Sequence, residues 1–131
     1  MAGDINRVSG IFSLVIGSSM ILMWLFILLF DNIPEFRSDP LQIVLHLTAE
    51  FLTGVLLISA GIALLRRKSS GAKLFYLASG MLLYTVIVSS GYYADRREWL
   101  FVLMFGVIFI MTTILLVIRI VKERERETLN V

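Results

Sequence analysis

Four long runs of apolar residues divide this chain, and a short polar segment separates each run from the next. The runs cover residues of about 8–30, 41–65, 73–94 and 99–121. Their apolar positions are continuous rather than alternating, which favours helices over the strands of a membrane β-barrel. A helix needs about 20 apolar residues to cross the hydrocarbon core of a bilayer. The pattern therefore predicts four transmembrane helices.

The polar segments agree with this division. Pro34 and Pro40 bracket the first loop and prevent the first helix from running on. Ser69, Ser70 and Gly71 separate the second helix from the third. Residues 122–131 continue the fourth run as a charged helical tail. We expect an all-α four-transmembrane-helix bundle that forms one integral membrane domain over residues 1–131.

Composition narrows the class of protein further. The chain is 58% hydrophobic and only 17% charged, whereas soluble domains average about 45–50% and about 25%. It has no cysteine and a single histidine, which excludes disulfides, thiolate metal sites and a histidine-rich metal cage within one subunit. The common nucleotide-binding and hydrolase motifs are also missing. The sequence predicts no cofactor, no metal and no catalytic constellation.

The distribution of charge predicts the orientation in the membrane. The first loop is acidic, with Asp31, Glu35 and Asp39 against Arg37. Nine Lys and Arg residues fall on the side that holds both termini, and three fall on the opposite side. Because cytoplasmic loops carry the excess of Lys and Arg, we expect a multi-pass protein of the cell membrane with both termini cytoplasmic. The net charge of +2 is explained by this topology, and no nucleic acid is expected as a partner.

Two ionisable residues lie well inside an apolar run. His46 and Glu50 are four residues apart, so they share one face of the second predicted helix. At 1.5 Å per residue, Glu50 lies roughly 13 Å below the start of its helix, which approaches the middle of the hydrocarbon core. Ionisable residues at this depth usually face a bundle interior or a water-filled cavity.

Small residues continue this face and recur on the other helices. Gly54 and Gly61 extend the stripe of the second helix, and we expect it to pack against a matching stripe on the third. The polar cluster expected at that contact comprises His46, Glu50, Tyr84, Thr85, Ser89 and Ser90. The positions expected to bring helices close together are Ser13, Gly17, Gly54, Gly61, Gly80, Gly91 and Gly106.

Each ionisable residue admits a structural and a functional interpretation. Glu50 is either a hydrogen-bonded carboxyl that holds helices or subunits together, or a site that binds a proton or a cation. His46 is either a hydrogen-bonded histidine near the interface, or a pH switch, a metal ligand or a haem ligand. A haem usually takes a second axial ligand or an open distal site, and the chain has no second histidine.

Two segments carry a resemblance to a known group of proteins. LHLTAEF at 45–51 and GMLLYTVIVSSGYYA at 80–94 resemble a family of small uncharacterised four-helix membrane proteins. This resemblance covers about a third of the chain and implies the four-helix fold. It implies no particular activity.

These observations favour a protein that acts by binding and assembly. Its expected partners are the lipid bilayer and either further copies of itself in a homo-oligomer or the other subunits of a membrane complex. The alternative is a small proton- or cation-coupled transporter or channel that uses Glu50. A membrane enzyme acting on lipid or quinone, with Glu50 and His46 as acid and base, is a third hypothesis. It has the least support, because no nucleophile constellation accompanies them.

Overall fold

The structure, a computed structural model, describes residues 2–30 and 33–131 and is helical almost throughout. No strand occurs in these ranges. The helices are α1 (Ala2–Phe30), α2 (Glu35–Ser38), α3 (Pro40–Leu65), α4 (Gly71–Asp95) and α5 (Trp99–Leu129). Four of them, all except α2, are long and apolar enough to cross a membrane. The predicted all-α class with four such helices is therefore confirmed, while Asp31 of the acidic loop lies outside the described residues.

The helix boundaries follow from local backbone chemistry. Pro40 occupies the first turn of α3, where its missing N–H leaves no hydrogen bond unmade. The single turn of α2 follows Pro34 and was not predicted, because four residues are too short to show an apolar period. Beyond residue 121, α5 continues without a break to Leu129.

Two helices end on an arginine in the left-handed region. Arg67 has φ of 55° after α3, and Arg97 has φ of 58° after α4. At the first of these ends, the N–H of Lys68 donates to the carbonyl of Ala63 at 2.9 Å, and the N–H of Arg67 donates to that of Leu64 at 3.1 Å. This hydrogen-bond pattern satisfies the last carbonyls of a helix and usually has glycine at the left-handed position. Arginine there carries a strain of about 1–2 kcal/mol.

The chain forms two compact units, Met1–Ala78 and Ser79–Val131. In the first unit, α1 packs against α3 through glycines. A Cβ added at Gly17 would lie 2.8 Å from the carbonyl oxygen of Gly54, and one added at Gly61 would lie 2.8 Å from that of Gly10. Real Cβ atoms essentially never approach a neighbour within 3.0 Å. The two backbones can therefore approach this closely only because these positions lack side chains.

The contacts between α1 and α3 have a regular antiparallel register. Gly10 faces Gly61, and seven residues further along α1 Gly17 faces Gly54, seven residues earlier on α3. A seven-residue period keeps one face of each helix directed at the other, as in left-handed helix pairs. One more step of seven brings Trp24 to the level of Leu47.

Further buried residues complete each unit. In the first unit, Leu57 and Phe75 are fully buried, and so is Thr53, whose hydroxyl donates to the carbonyl of Ala49 at 2.7 Å. In the second unit, the ring of Tyr93 on α4 stacks on that of Phe101 on α5, with 4.7 Å between centroids. The buried residues of α5 are Thr112, Leu115 and Arg119. They recur every three or four residues and so form one helix face.

The glycine contacts predict opposite effects for two Gly→Ala substitutions. Gly17→Ala places a methyl group against the Gly54 carbonyl and the Leu57 side chain, so we expect a loss of about 1–3 kcal/mol in the free energy of unfolding. Gly106→Ala is the matched control, because an added Cβ there meets no described heavy atom within 4 Å. It should be neutral or stabilise the helix by up to about 1 kcal/mol. Reversible unfolding in detergent followed by circular dichroism measures both, and equal stability of the two variants would contradict the packing.

Candidate functional site

A polar cluster joins α1 to α3 inside the first unit. Glu50 is only 5% exposed, although it lies in the apolar length of α3. Its Oε2 accepts a long hydrogen bond of 3.5 Å from the indole Nε1 of Trp24. Its Oε1 lies 3.9 Å from Nε2 of His46. The rings of Trp24 and His46 meet edge to face, with 5.9 Å between centroids. Both carboxyl oxygens therefore face a nitrogen of a neighbouring ring.

Local structure explains how these three side chains meet. His46 and Glu50 are one helical turn apart on α3 and so point to the same side. The seven-residue register that brings Gly17 against Gly54 also places Trp24 at a level between His46 and Glu50. The cluster is thus a consequence of the close packing of α1 on α3.

The hydrogen-bonding capacities of the three groups differ in a way that defines the site. An indole N–H only donates, so Trp24 stabilises an oxygen of Glu50 whether or not that carboxyl is ionised. A neutral imidazole carries one donor and one acceptor nitrogen, and a protonated imidazole carries two donors. The pair of His46 and Glu50 can therefore hold a proton on either partner. Burial makes an uncompensated carboxylate unfavourable, and both neighbouring nitrogens reduce that cost.

The site offers little to a metal ion. Over residues 2–30 and 33–131 there is no group of three or more histidine, cysteine, aspartate or glutamate side chains that could hold one. His46 and Glu50 supply two potential ligands, whereas structural zinc sites use four. The chemistry that these residues support is proton binding and hydrogen bonding.

A family described as a domain of unknown function matches residues 3–130, almost the whole chain. The chain belongs to the DUF8058 family. This membership agrees with the resemblance to an uncharacterised family. No curated protein and no solved structure gives a significant match.

Four other residues of the predicted cluster lie in the second unit of this DUF8058 member. Tyr84 is 68% exposed. Thr85 and Ser90 donate to carbonyls of their own helix, those of Leu82 at 3.0 Å and Ile87 at 2.8 Å. Ser89 is buried. Thr85 and Ser90 thus satisfy their hydroxyls locally, as serine and threonine in membrane helices commonly do.

The glycines of the predicted packing positions fall into two groups. Gly54 and Gly61 were expected to face the third span, but the closest atoms to their Cβ positions belong to α1. The antiparallel register of α1 and α3 accounts for this difference, because the glycines recur every seven residues on both helices. Gly17 therefore lies opposite Gly54, and Gly10 lies opposite Gly61. Ser13 on α1 is fully buried. The remaining glycines face open space, since a Cβ added to them meets no described heavy atom within 4 Å; they are Gly80, Gly91 and Gly106.

Sequence reasoning missed one member of the cluster in this DUF8058 chain. Trp24 has the character of an interfacial aromatic residue and lies within an uncharged run. The signal that finds it is the seven-residue spacing of Gly10, Gly17 and Trp24. This spacing places the indole on the same helix face as the glycines.

Proposed function

We propose that this protein acts by assembly within the membrane, and that α4 is the helix through which it associates. The observation that carries the proposal is the contrast between two sets of glycines. Gly10, Gly17, Gly54 and Gly61 are occupied in the contact between α1 and α3. Gly80 and Gly91 on α4 have open space where a side chain would be. Small residues in membrane helices let a second helix approach closely, and here that place is unfilled.

A tyrosine between these glycines supports the same proposal. Tyr84 is 68% exposed and lies near the middle of α4, on the face that carries Gly80 and Gly91. A phenolic hydroxyl in the hydrocarbon core is unfavourable unless it forms a hydrogen bond. A neighbouring helix packed against the glycines would supply both close van der Waals contact and a partner for this hydroxyl. A second copy of the chain and a different membrane subunit both fit this requirement.

We also propose that the protein spans the cell membrane with both termini in the cytoplasm. Nine of the twelve Lys and Arg residues lie at the ends of the helices that share a side with the termini. An excess of these residues marks the cytoplasmic side of a membrane protein. In this orientation α2 lies outside, and so does the start of α3, which is the end of that helix nearest to His46.

The assembly proposal predicts that bulk on α4 separates the subunits. The variant Gly80→Leu/Gly91→Leu fills the open positions, so we expect its subunit number to fall to one in native mass spectrometry from mild detergent. Val117→Phe is the control, since it adds apolar bulk at an exposed position of α5, and it should leave the subunit number unchanged. A wild-type protein that is monomeric and carries no other polypeptide would contradict the proposal.

A second candidate function is proton- or cation-coupled transport through Glu50. The burial of this carboxyl beside His46 and Trp24 favours it, because ionisable groups inside membrane spans often mark proton or ion pathways. In liposomes with a pH gradient, this function predicts a flux of protons or cations that Glu50→Gln removes without changing the subunit number. Equal flux in the wild type and in Glu50→Gln would exclude Glu50 as the coupling group.

A further inference from the structure

We propose that the segment joining α3 to α4 binds the phosphate headgroup of an anionic phospholipid. This segment, residues 66–73, is called the basic loop. The side chains that contact the phosphate are those of Arg66, Arg67, Lys68 and Lys73. The inference goes beyond assembly, and it rests only on the proposed crossing of the membrane.

The charge of the basic loop is all of one sign. Its four ionisable residues are cations, and all four are exposed. The sequence has no aspartate or glutamate between Glu50 and Asp95. Glu50 lies roughly 22 Å along the axis from the end of α3 at which the loop begins, and Asp95 is the last residue of α4. Neither carboxylate therefore neutralises the loop.

The first helix adds no net charge at this place. A Cβ built on Gly3 would lie 3.6 Å from Nη2 of Arg67, so the start of α1 lies beside the basic loop. The charged residues of that first part of α1 are Asp4 and Arg7, both exposed. Their charges are opposite and cancel in the sum. This end of the first unit thus keeps the four positive charges of the loop.

The cations of two other segments have neighbours that compensate them. In the last helix, Nη1 of Arg119 lies 3.9 Å from Oε1 of Glu123, and residues 122–127 alternate between cation and anion. After α4, the guanidinium of Arg96 lies 4.2 Å from the ring centroid of Tyr92. The basic loop differs from both, because its cations follow one another without an intervening acid. It is therefore a suitable place for an anion from outside the chain.

The basic loop is fixed against the ends of both helices. The N–H of Lys68 donates to the carbonyl of Ala63 at 2.9 Å, and the N–H of Gly71 donates to that of Lys68 at 3.1 Å. Gly71 is buried, and a Cβ built on it would lie 3.0 Å from the backbone nitrogen of Leu64. The start of α4 thus lies against the last turn of α3. The four cations are gathered at one point of the surface and do not spread along a free linker.

Exposed aliphatic side chains lie one helical turn from these cations, toward the middle of the membrane. Ile62 is four residues before Arg66, and Leu77 is four residues after Lys73, so each aliphatic residue shares a helix face with a cation. Ile62 and Leu77 are both exposed, and so is Leu65. A phospholipid has the same order of groups, with a phosphate at the interface and acyl chains beneath it. An inorganic phosphate ion would make no use of the aliphatic residues, which therefore favour a lipid.

The proposed orientation agrees with an anionic lipid. It places the basic loop on the cytoplasmic side, where the negative surface potential of a leaflet with anionic lipids attracts basic segments next to a span. Each Lys or Arg near such a surface raises the affinity by about fivefold. Several adjacent cations should therefore distinguish an anionic headgroup from a zwitterionic one.

The test is native mass spectrometry of the full-length protein in mild detergent, titrated with phosphatidylglycerol or with phosphatidylcholine of the same acyl chains. We expect the wild type to bind phosphatidylglycerol at least about tenfold more tightly than phosphatidylcholine. Removing three cations in Arg66→Gln/Arg67→Gln/Lys68→Gln should weaken the binding of phosphatidylglycerol by about tenfold or more and leave that of phosphatidylcholine unchanged.

The matched control removes three cations from the charged tail instead, in the variant Lys122→Gln/Arg124→Gln/Arg126→Gln. Both variants lose the same charge from the side that holds the termini. Because the tail cations alternate with glutamates, this variant should keep the affinity of the wild type for phosphatidylglycerol.

Three results would overturn the inference. One is equal affinity of the wild type for the two lipids, a comparison that does not depend on any variant folding. Another is an equal loss of affinity in the two triple variants, which would indicate an effect of total charge. The third is displacement of the bound lipid by an excess of inorganic phosphate, which would indicate a site for a free anion. The subunit number in the same spectra reports on assembly separately, and retention of the wild type in alkali-washed membranes reports on the crossing of the membrane.

Discussion

The close approach of two helix backbones is the contact from which the rest of the first unit follows. Where Gly10 meets Gly61 and Gly17 meets Gly54, no side chain separates α1 from α3. In lipid the hydrophobic effect does not drive helices together, so dense packing and hydrogen bonds must do so. The same register carries Trp24 to Glu50, which joins the packing of the helices to the placement of the polar cluster.

The cluster and the open glycines differ in whether their partners lie within the chain. Polar groups in a bilayer need hydrogen-bond partners, and small residues allow a second helix to pack closely. Glu50 finds its partners within the chain, in Trp24 and His46. Gly80, Gly91 and the exposed Tyr84 have no such neighbour among the described residues. The first arrangement gives a buried carboxyl its neighbours inside one chain. The second explains why assembly with a further helix is the function that we propose.

Some features of the fold and of the polar cluster were predictable from the sequence, for physical reasons that differ from one feature to another. The spans were predictable because hydrocarbon thickness sets a minimum length for an apolar run. The adjacency of His46 and Glu50 was predictable because a helix repeats every 3.6 residues. The partner of Gly54 and Gly61 was not, since periodicity identifies the face of a helix and not the neighbour that it contacts. The contact of Trp24 with Glu50 was not predictable for the same reason. The helix α2 was not predictable because a single turn is too short to show an apolar period.

A double-mutant cycle between Trp24 and Glu50 tests most directly whether α1 supplies a partner to the buried carboxyl. The free energy of unfolding in detergent is measured for the wild type, Trp24→Phe, Glu50→Met and the double variant. The account predicts a coupling energy of about 1 kcal/mol, the net value of one hydrogen bond, because each substitution removes one side of the same contact. Additive effects within about 0.3 kcal/mol would contradict it, since they are the behaviour of two sites that do not touch.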